Sequence, residues 1–135
     1  MCYSAFRTVS RRRKGWLDMA NTELEKYIEA FHMMWDNYPE SVRLIDRTFT
    51  VLAGNKAYTA MGGTADVKCN VGDPAFHRGC QAMASLKSGQ TKTLKTDVEG
   101  VAWESYWVPV AGRDDLYVHF TNGINETMAK MQQKG

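Results

Sequence analysis

Apolar residues recur at steps of three and four along positions 24 to 35, which is the pattern of one face of an α-helix. Thr22 and Glu25 have the spacing of a capping box, so the helix is predicted to begin at Thr22, and Pro39 ends the segment. The stripe either covers the chain's own core or forms a dimer seam, and both uses stay open at this point. The residues assigned to the candidate dimer seam are Leu24, Tyr27, Ile28, Phe31, Met34 and Trp35.

The next segment predicts a β-hairpin followed by a short helix. Strand-like runs over 41–46 and 49–53 are separated by polar residues that suit a tight turn. Asn55 is placed to cap a helix over 56–61, and the glycines at 62 and 63 can end it by adopting positive φ.

A second helix and a three-stranded meander are predicted after a loop over 64–73. Pro74 suits the first helical position and Gly89 a C-terminal cap, so the helix is predicted over 74–88. Three strands are predicted over 91–98, 101–110 and 116–121, with turns near Gly100 and Gly112. A last helix is predicted to start at Asn125 or Glu126.

Several segments in this order resemble the PAS domain family across residues 22 to 128. A proline before a strand that ends in aspartate, and an asparagine that caps the next helix, resemble the opening of the family; they are Pro39, Asp46 and Asn55. The segments at 85–90, 108–110 and 118–126 resemble the end of the family's long helix, its paired final strands and its exit motif. The exit is only partly kept, because Ile124, Asn125 and Glu126 stand where the family commonly has aspartate, isoleucine, threonine and glutamate.

The resemblance implies an α+β fold with a five-stranded antiparallel sheet and helices on one face, preceded by the N-terminal amphipathic helix. Such a fold encloses a pocket between helix and sheet, where small ligands bind. The alternative is that the same side chains form plain core. The candidate pocket residues are Phe76, His77, Cys80, Met83, Tyr106, Val108, Val118 and Phe120.

Length and composition indicate one folded domain. The chain has 135 residues, of which 44% are hydrophobic and 24% charged, close to the average of globular proteins. We divide it into a basic N-terminal arm over 1–21, the PAS-like domain over 22–128 and the start of a C-terminal helix or tail over 129–135. The basic residues concentrate in the arm, which argues against a general nucleic-acid surface. Without a long apolar run, neither a membrane span nor a signal peptide is expected, and the expected location is cytoplasmic.

The cysteines do not indicate a structural metal or a disulfide framework. Cys69 and Cys80 are separated by ten residues, a spacing that resembles a PAS subgroup with a third cysteine where this chain has Met83. A tetrahedral zinc site needs four ligands, and counting His77 leaves only three candidates, so no metal is expected. A disulfide between the two thiols stays open, because sequence cannot supply its geometry.

The cofactor is unknown at this stage. The resemblance allows haem, because the family's haem sensors place their ligand on the helix predicted at 74–88, but haem is not favoured. It also allows flavin, since Cys69 lies where some relatives carry a reactive cysteine. The residues at 70–72 do not reproduce the sequence expected after a flavin-adduct cysteine, so flavin is not favoured either.

The predicted function is that of a sensory or regulatory signal-transduction domain that binds a small ligand or partner and forms a homodimer. A downstream kinase or regulator would be its partner. No phosphate-binding glycine loop or serine nucleophile elbow is present, so the chain is not expected to be an enzyme. The alternatives are a ligand-free dimerisation module and a small cone-shaped α+β enzyme that uses a pocket aspartate and histidine.

Overall fold

The computed structural model describes residues 11–69 and 79–134, and the side chains within 22–69 and 79–133. Its five strands form one antiparallel sheet in the order β2-β1-β5-β4-β3, which confirms the predicted α+β fold. In chain order the elements are α1 (Arg11–Trp35), β1 (Val42–Asp46), β2 (Val51–Gly54), α2 (Lys56–Ala60), α3 (Ala82–Ser88), β3 (Lys92–Val98), β4 (Val101–Pro109), β5 (Leu116–Asn122) and α4 (Ile124–Lys134).

Both faces of the sheet carry apolar side chains. Successive residues of a strand point to opposite sides, so one strand can contribute to both faces. The face that packs against α1 is called the outer face, and its buried core consists of Phe31, Val42, Leu44, Ala53, Leu116 and Val118. The face that packs against α3 is called the inner face, and its buried core consists of Ile45, Val51, Ala82, Leu86, Trp107 and Tyr117. The sheet is therefore the middle layer between α1 and α3.

Helix α1 begins earlier than predicted. It starts at Arg11 rather than at Thr22, so Thr22 and Glu25 lie inside the helix and do not form its N-terminal cap. The capping-box spacing is a local signal, and a helix can continue through it when the preceding residues do not break the hydrogen-bond ladder. Residues 1–10 of the predicted basic arm lie outside the described residues.

Helix α3 is shorter than the predicted helix over 74–88. It starts at Ala82, because Gly79 has a φ of 84° and Gln81 has a non-helical φ of −112° with ψ of 21°. A residue with positive φ cannot continue a right-handed helix. Positions 74–78 lie outside the described residues. The predicted end is confirmed, since Gly89 is the C-terminal cap with a φ of 68°.

The strands and their turns follow the prediction to within about three residues. Gly100 and Gly112 have φ values of 79° and 80°, as the predicted turns require. The hairpin turn between β1 and β2 is longer than predicted, and Phe49 adopts a φ of 64° within it. The carboxylate of Asp46 accepts hydrogen bonds from the backbone N–H groups of Thr48 and Thr50 at 2.9 and 3.1 Å, which holds this turn together.

Among the helices that the structure describes, none combines the length and the apolar character that crossing a bilayer requires.

Candidate functional site

The inner face carries aromatic rings together with polar groups, which distinguishes it from a plain aliphatic core. Tyr117 is 1% exposed, and its hydroxyl lies 3.9 Å from the Sγ of Cys69. Beside it, the buried ring of Trp107 stacks on the ring of His119, with centroids 4.7 Å apart and planes 13° from parallel. Apolar surface with a few placed polar groups is the usual composition of a small-molecule site.

The tautomer of His119 follows from its backbone contact. Its Nδ1 lies 2.8 Å from the carbonyl oxygen of Tyr106, and a carbonyl oxygen can only accept a hydrogen bond. Nδ1 therefore carries a proton and donates it, which fixes the plane of the imidazole against Trp107.

The thiol and phenol of the inner face are held in their neutral forms. Burial raises the pKa of the Tyr117 hydroxyl, and the neighbouring Cys69 raises it further. Burial also raises the pKa of the Cys69 thiol, although the hydrogen bond with Tyr117 and the charge of Arg43 oppose this effect. A thiol with a raised pKa is a poor nucleophile, so Cys69 does not have the setting of a reactive cysteine.

Arg43 brings a positive charge to the inner face. In the sheet it pairs with Gly54 on β2 and with His119 on β5, and its two neighbours on β1 belong to the outer core. Its side chain therefore projects to the inner side and is half-buried. No local motif in the sequence marks Arg43 or Trp107 as a candidate site residue.

The strand residues of the predicted pocket lie on the outer face of the sheet. Val108, Val118 and Phe120 pack in the outer core with α1, and Tyr106 stacks on Phe120 with centroids 5.0 Å apart. The strand half of the prediction is therefore wrong, since it took the outer set of alternating residues for the inner one. The residues that the strands do present to the inner face are Trp107, Tyr117 and His119.

The helical half of the predicted pocket is only partly described. Cys80 is exposed, and Met83 is 45% exposed, although both lie beside the inner face. Phe76 and His77 lie outside the described residues. Of the predicted helical lining, the described residues are Cys80 and Met83, and the other two stay a prediction.

The predicted dimer seam lies partly in the chain's own core. Phe31 is buried in the outer core, and Tyr27, Ile28 and Trp35 pack against it, while Leu24 is half-buried. The remaining member, Met34, is 76% exposed. Its neighbour Met33 is 82% exposed, so α1 presents apolar side chains on the side away from the sheet as well.

The C-terminal end of α1 is fixed by one buried side chain. Asn55 is fully buried, and its Oδ1 accepts hydrogen bonds from the N–H groups of Val42 and Tyr58 at 2.9 and 3.0 Å. Its Nδ2 donates to the carbonyl oxygens of Trp35, Tyr38 and Glu40 at 3.0, 3.2 and 2.9 Å. The predicted cap of α2 is confirmed, and the same amide also joins the α1 turn to β1.

The same turn contacts the start of α4. The hydroxyl of Tyr38 donates to Oδ1 of Asn122 at 2.7 Å, and the Glu40 carboxylate accepts from the N–H groups of Gly123 and Asn125, each at 3.2 Å. Residues 38–40 and 122–125 are called the helix junction below. It joins both terminal helices at one end of the sheet.

Metal-ligating groups are not clustered in the described part of the chain. No three His, Cys, Asp or Glu side chains there lie close enough to hold a metal ion. Cys69 and Cys80 are both free thiols. The His32–Asp36 contact, at 2.7 Å, lies at the C-terminal end of α1, which packs on the other side of the sheet from the candidate site.

The order of strands and the position of the helices define the PAS fold, and solved structures agree with this. The PAS domain of BvgS from Bordetella pertussis matches with a TM-score of 0.56 and 19% identity, covering 80% of this chain and 96% of that one. A domain of an HTR-like protein from Haloarcula marismortui matches with a TM-score of 0.49 and 16% identity, covering 64% and 98%. A PAS domain from a two-component sensor histidine kinase matches with a TM-score of 0.49 and 15% identity, covering 75% and 97%.

The fold assignment rests on the first of these structures. No protein-family model matches the sequence, and no curated protein matches it closely enough to count as a relative.

Proposed function

We propose that this chain is a sensory signal-transduction domain that binds a small molecule at its inner face and acts without catalysis. The observation that carries the proposal is a continuous path from that face to a terminal helix. Tyr117 and His119 lie on β5, and the same strand ends at Asn122, within the helix junction. A ligand that favours one position of β5 would shift the populations of the conformations that α1 and α4 adopt.

The structural neighbours support a signalling role without supplying its details. Two of the structural neighbours are PAS domains, one from BvgS and one from a two-component sensor histidine kinase. A kinase or regulator attached to or contacting this domain is the partner that the proposal expects.

Mass spectrometry of the intact protein and of its denatured extract tests whether a small molecule is bound. We expect a small molecule to copurify with the wild type and to be lost in Leu94→Trp, because Leu94 packs against the inner core and a larger ring would fill the site. The control is Lys95→Trp, the exposed neighbour on the opposite side of the same strand, which should retain the molecule. No bound molecule in any sample would favour the ligand-free dimerisation module.

The proposed homodimer uses the exposed side of α1. Among the described side chains of this helix, over 22–35, Met33 and Met34 are the large apolar residues that the core leaves exposed, so a second copy could bury them. Phe31→Asp is not a clean test, since Phe31 belongs to the core and its loss would unfold the domain.

Sedimentation velocity of Met33→Glu and Met34→Glu tests the dimer. We expect at least a tenfold weaker association with an unchanged circular dichroism spectrum. Met61→Glu is the control, because Met61 is 53% exposed at the end of α2. Equal association in all three variants would contradict an interface on α1.

A further inference from the structure

The inner face has an uneven charge. On the five strands, the register places the basic residues Arg43 and Lys92 on this side. The strand carboxylates lie on the other side, and they belong to Asp46, Asp97 and Glu104. The two helices over the inner face, α2 and α3, contain no acidic residue. Among the described strands and helices around the site, positive charge is therefore not balanced by negative charge.

Arg43 is the cation at the centre of this imbalance. The described ion pairs involve Arg113 and His32, and no described hydrogen bond comes from the Arg43 guanidinium. Around it lie the backbone of Gly54, the ring of His119 and the apolar inner core. A half-buried guanidinium loses part of its hydration, and pairing with an anion offsets that cost most strongly, so this position favours an anionic partner.

The distance between the two cations limits the charge of that partner. Arg43 lies on β1 and Lys92 on β3, with β5 and β4 between them. Neighbouring strands are about 4.8 Å apart, so the two strands are separated by on the order of 14 Å. A compact anion that pairs with Arg43 therefore lies well away from the backbone of Lys92, and the one guanidinium beside it balances a single negative charge.

We infer that the inner face binds a small carboxylate with an apolar body, whose carboxylate pairs with Arg43 and whose body packs against Trp107 and Tyr117. This inference rests on the proposed function and adds the class of ligand. A guanidinium matches a carboxylate because its two parallel N–H groups can donate to both oxygens. The buried aromatic rings offer the apolar surface that the remainder of such a molecule needs.

Isothermal titration calorimetry with a matched pair of probes tests the inference. The probes are 3-phenylpropanoate and 3-phenylpropanamide, which share an apolar body and differ in charge. We expect the wild type to bind the acid at least tenfold more tightly than the amide. Phenyl phosphate, as the third probe, should bind more weakly than the acid at a pH where it is a dianion.

Four variants distinguish a direct contact between the ligand and Arg43 from an effect of the overall positive charge. Arg43→Gln should abolish the preference for the acid, and Arg43→Lys should retain part of it, because an ammonium lacks the planar fork. Arg47→Gln removes the same charge from an exposed position after β1, and Lys92→Gln removes it from the distant end of the inner face. Both should keep at least half of the tenfold preference. Circular dichroism checks that each variant is folded.

The failure of the ligand class is distinguishable from the failure of the sensory proposal. Equal binding of acid and amide by the wild type, or an unchanged preference in folded Arg43→Gln, overturns the carboxylate assignment alone. Tighter binding of phenyl phosphate than of the acid also overturns it. Binding of no probe, together with no copurified molecule, overturns the inference and the proposed ligand site alike. Any copurified molecule that proves neutral or cationic overturns the inference while leaving the site itself intact.

Discussion

At the scale of single residues, Asn55 makes more hydrogen bonds to the backbone than its predicted role as the cap of α2 requires. Its one amide accepts from two N–H groups and donates to three carbonyl groups, all from segments that meet at the end of α1. Buried backbone groups that lose their partner keep the full cost of desolvation. The helix turn, β1 and α2 therefore depend on the same side chain.

Asn55→Ala should lower the free energy of unfolding by about 3 kcal/mol, because several buried polar groups lose their partner at once. Asn37→Ala is the control, since Asn37 is exposed and, within the described structure, its side chain accepts a hydrogen bond from the side chain of Lys56 alone. Its effect should stay within about 0.5 kcal/mol. Urea denaturation measures both variants, and similar losses would show that the Asn55 network adds little.

Arg113 and Asp115 provide a pH-dependent contact near α1. Two nitrogens of Arg113 donate to the two carboxylate oxygens of Asp115, each at 2.8 Å, and the guanidinium also lies over the ring of Tyr27 on α1, 4.9 Å from its centroid. The hydrogen bonds from Arg113 lower the pKa of Asp115 below its usual value of 3.8. The stabilisation is therefore complete above that usual value and is lost as the pH falls through the lowered one.

Asp115→Asn should reduce the free energy of unfolding at pH 7 by about 1 kcal/mol, since the pair is only partly buried. The difference from the wild type should shrink as the pH falls from about 4 through the lowered pKa of Asp115, below which the folded wild-type carboxylate is protonated as well. Asp114→Asn, at the exposed neighbouring position, should change little at any pH. Thermal unfolding followed between pH 2.5 and 7 measures this, and a constant difference across the range would contradict it.

At the scale of elements, the passage from β5 to α4 depends on a glycine. Gly123 has a φ of 110°, and a Cβ atom there would lie 2.6 Å from the carbonyl oxygen of Ala102 and 2.9 Å from Cδ1 of Trp103. The helix that follows is held to β4 by the Trp103 Nε1–H, which donates to Oγ1 of Thr127 at 2.8 Å. A side chain at position 123 would push α4 away from this contact.

Gly123→Ala should destabilise the domain by about 3 kcal/mol, the sum of backbone strain and a clash with backbone atoms. Gly62→Ala separates the two effects, since Gly62 has a φ of 92° but no atom within 4 Å of the added Cβ. That variant should lose only about 1 kcal/mol. Urea denaturation compares the two variants. Equal losses of unfolding free energy would mean that neighbouring atoms move and relieve the clash at no cost in stability.

Local signals made most of the elements predictable from sequence. The cap at Asn55, the end of α3 at Gly89 and the turns at Gly100 and Gly112 were all correct, because each depends on the chemistry of a single residue. The start of α3 was wrong, since Pro74 suits a first helical turn wherever the chain permits one, whereas the φ of Gly79 depends on the tertiary structure.

The pocket was harder to predict for a different reason. Alternation along β5 defines two sets of residues but does not say which set faces which helix. Val118 and Phe120 form one set and Tyr117 and His119 the other, and both are covered, by α1 and by the α3 side respectively. When both faces are apolar, hydrophobicity cannot distinguish them. No motif indicated Arg43 either, because its proposed role as the partner of an anion depends on the charges of strands that are distant in the sequence.

At the scale of the whole molecule, the two terminal helices meet at the end of the strand that forms part of the candidate site. Glu40 follows α1, and its carboxylate accepts hydrogen bonds at the N-terminus of α4, where a negative charge is favourable. The carbonyl oxygen of Pro39 accepts another hydrogen bond from the Asn125 side chain at 2.7 Å. A change at the helix junction should therefore alter the local stability of both helices.

Glu40→Ala should make backbone amides of α4 and of the last turn of α1 exchange with deuterium about five- to tenfold faster, a change of about 1 kcal/mol in local opening. Glu126→Gln is the matched control, because Glu126 lies in the first turn of α4 but is exposed and does not contact the α1 turn in the described structure. It should affect α4 alone. Faster exchange in α4 without any change in α1 would mean that Glu40 only caps α4, and the path from the inner face would then have to reach α1 through the sheet.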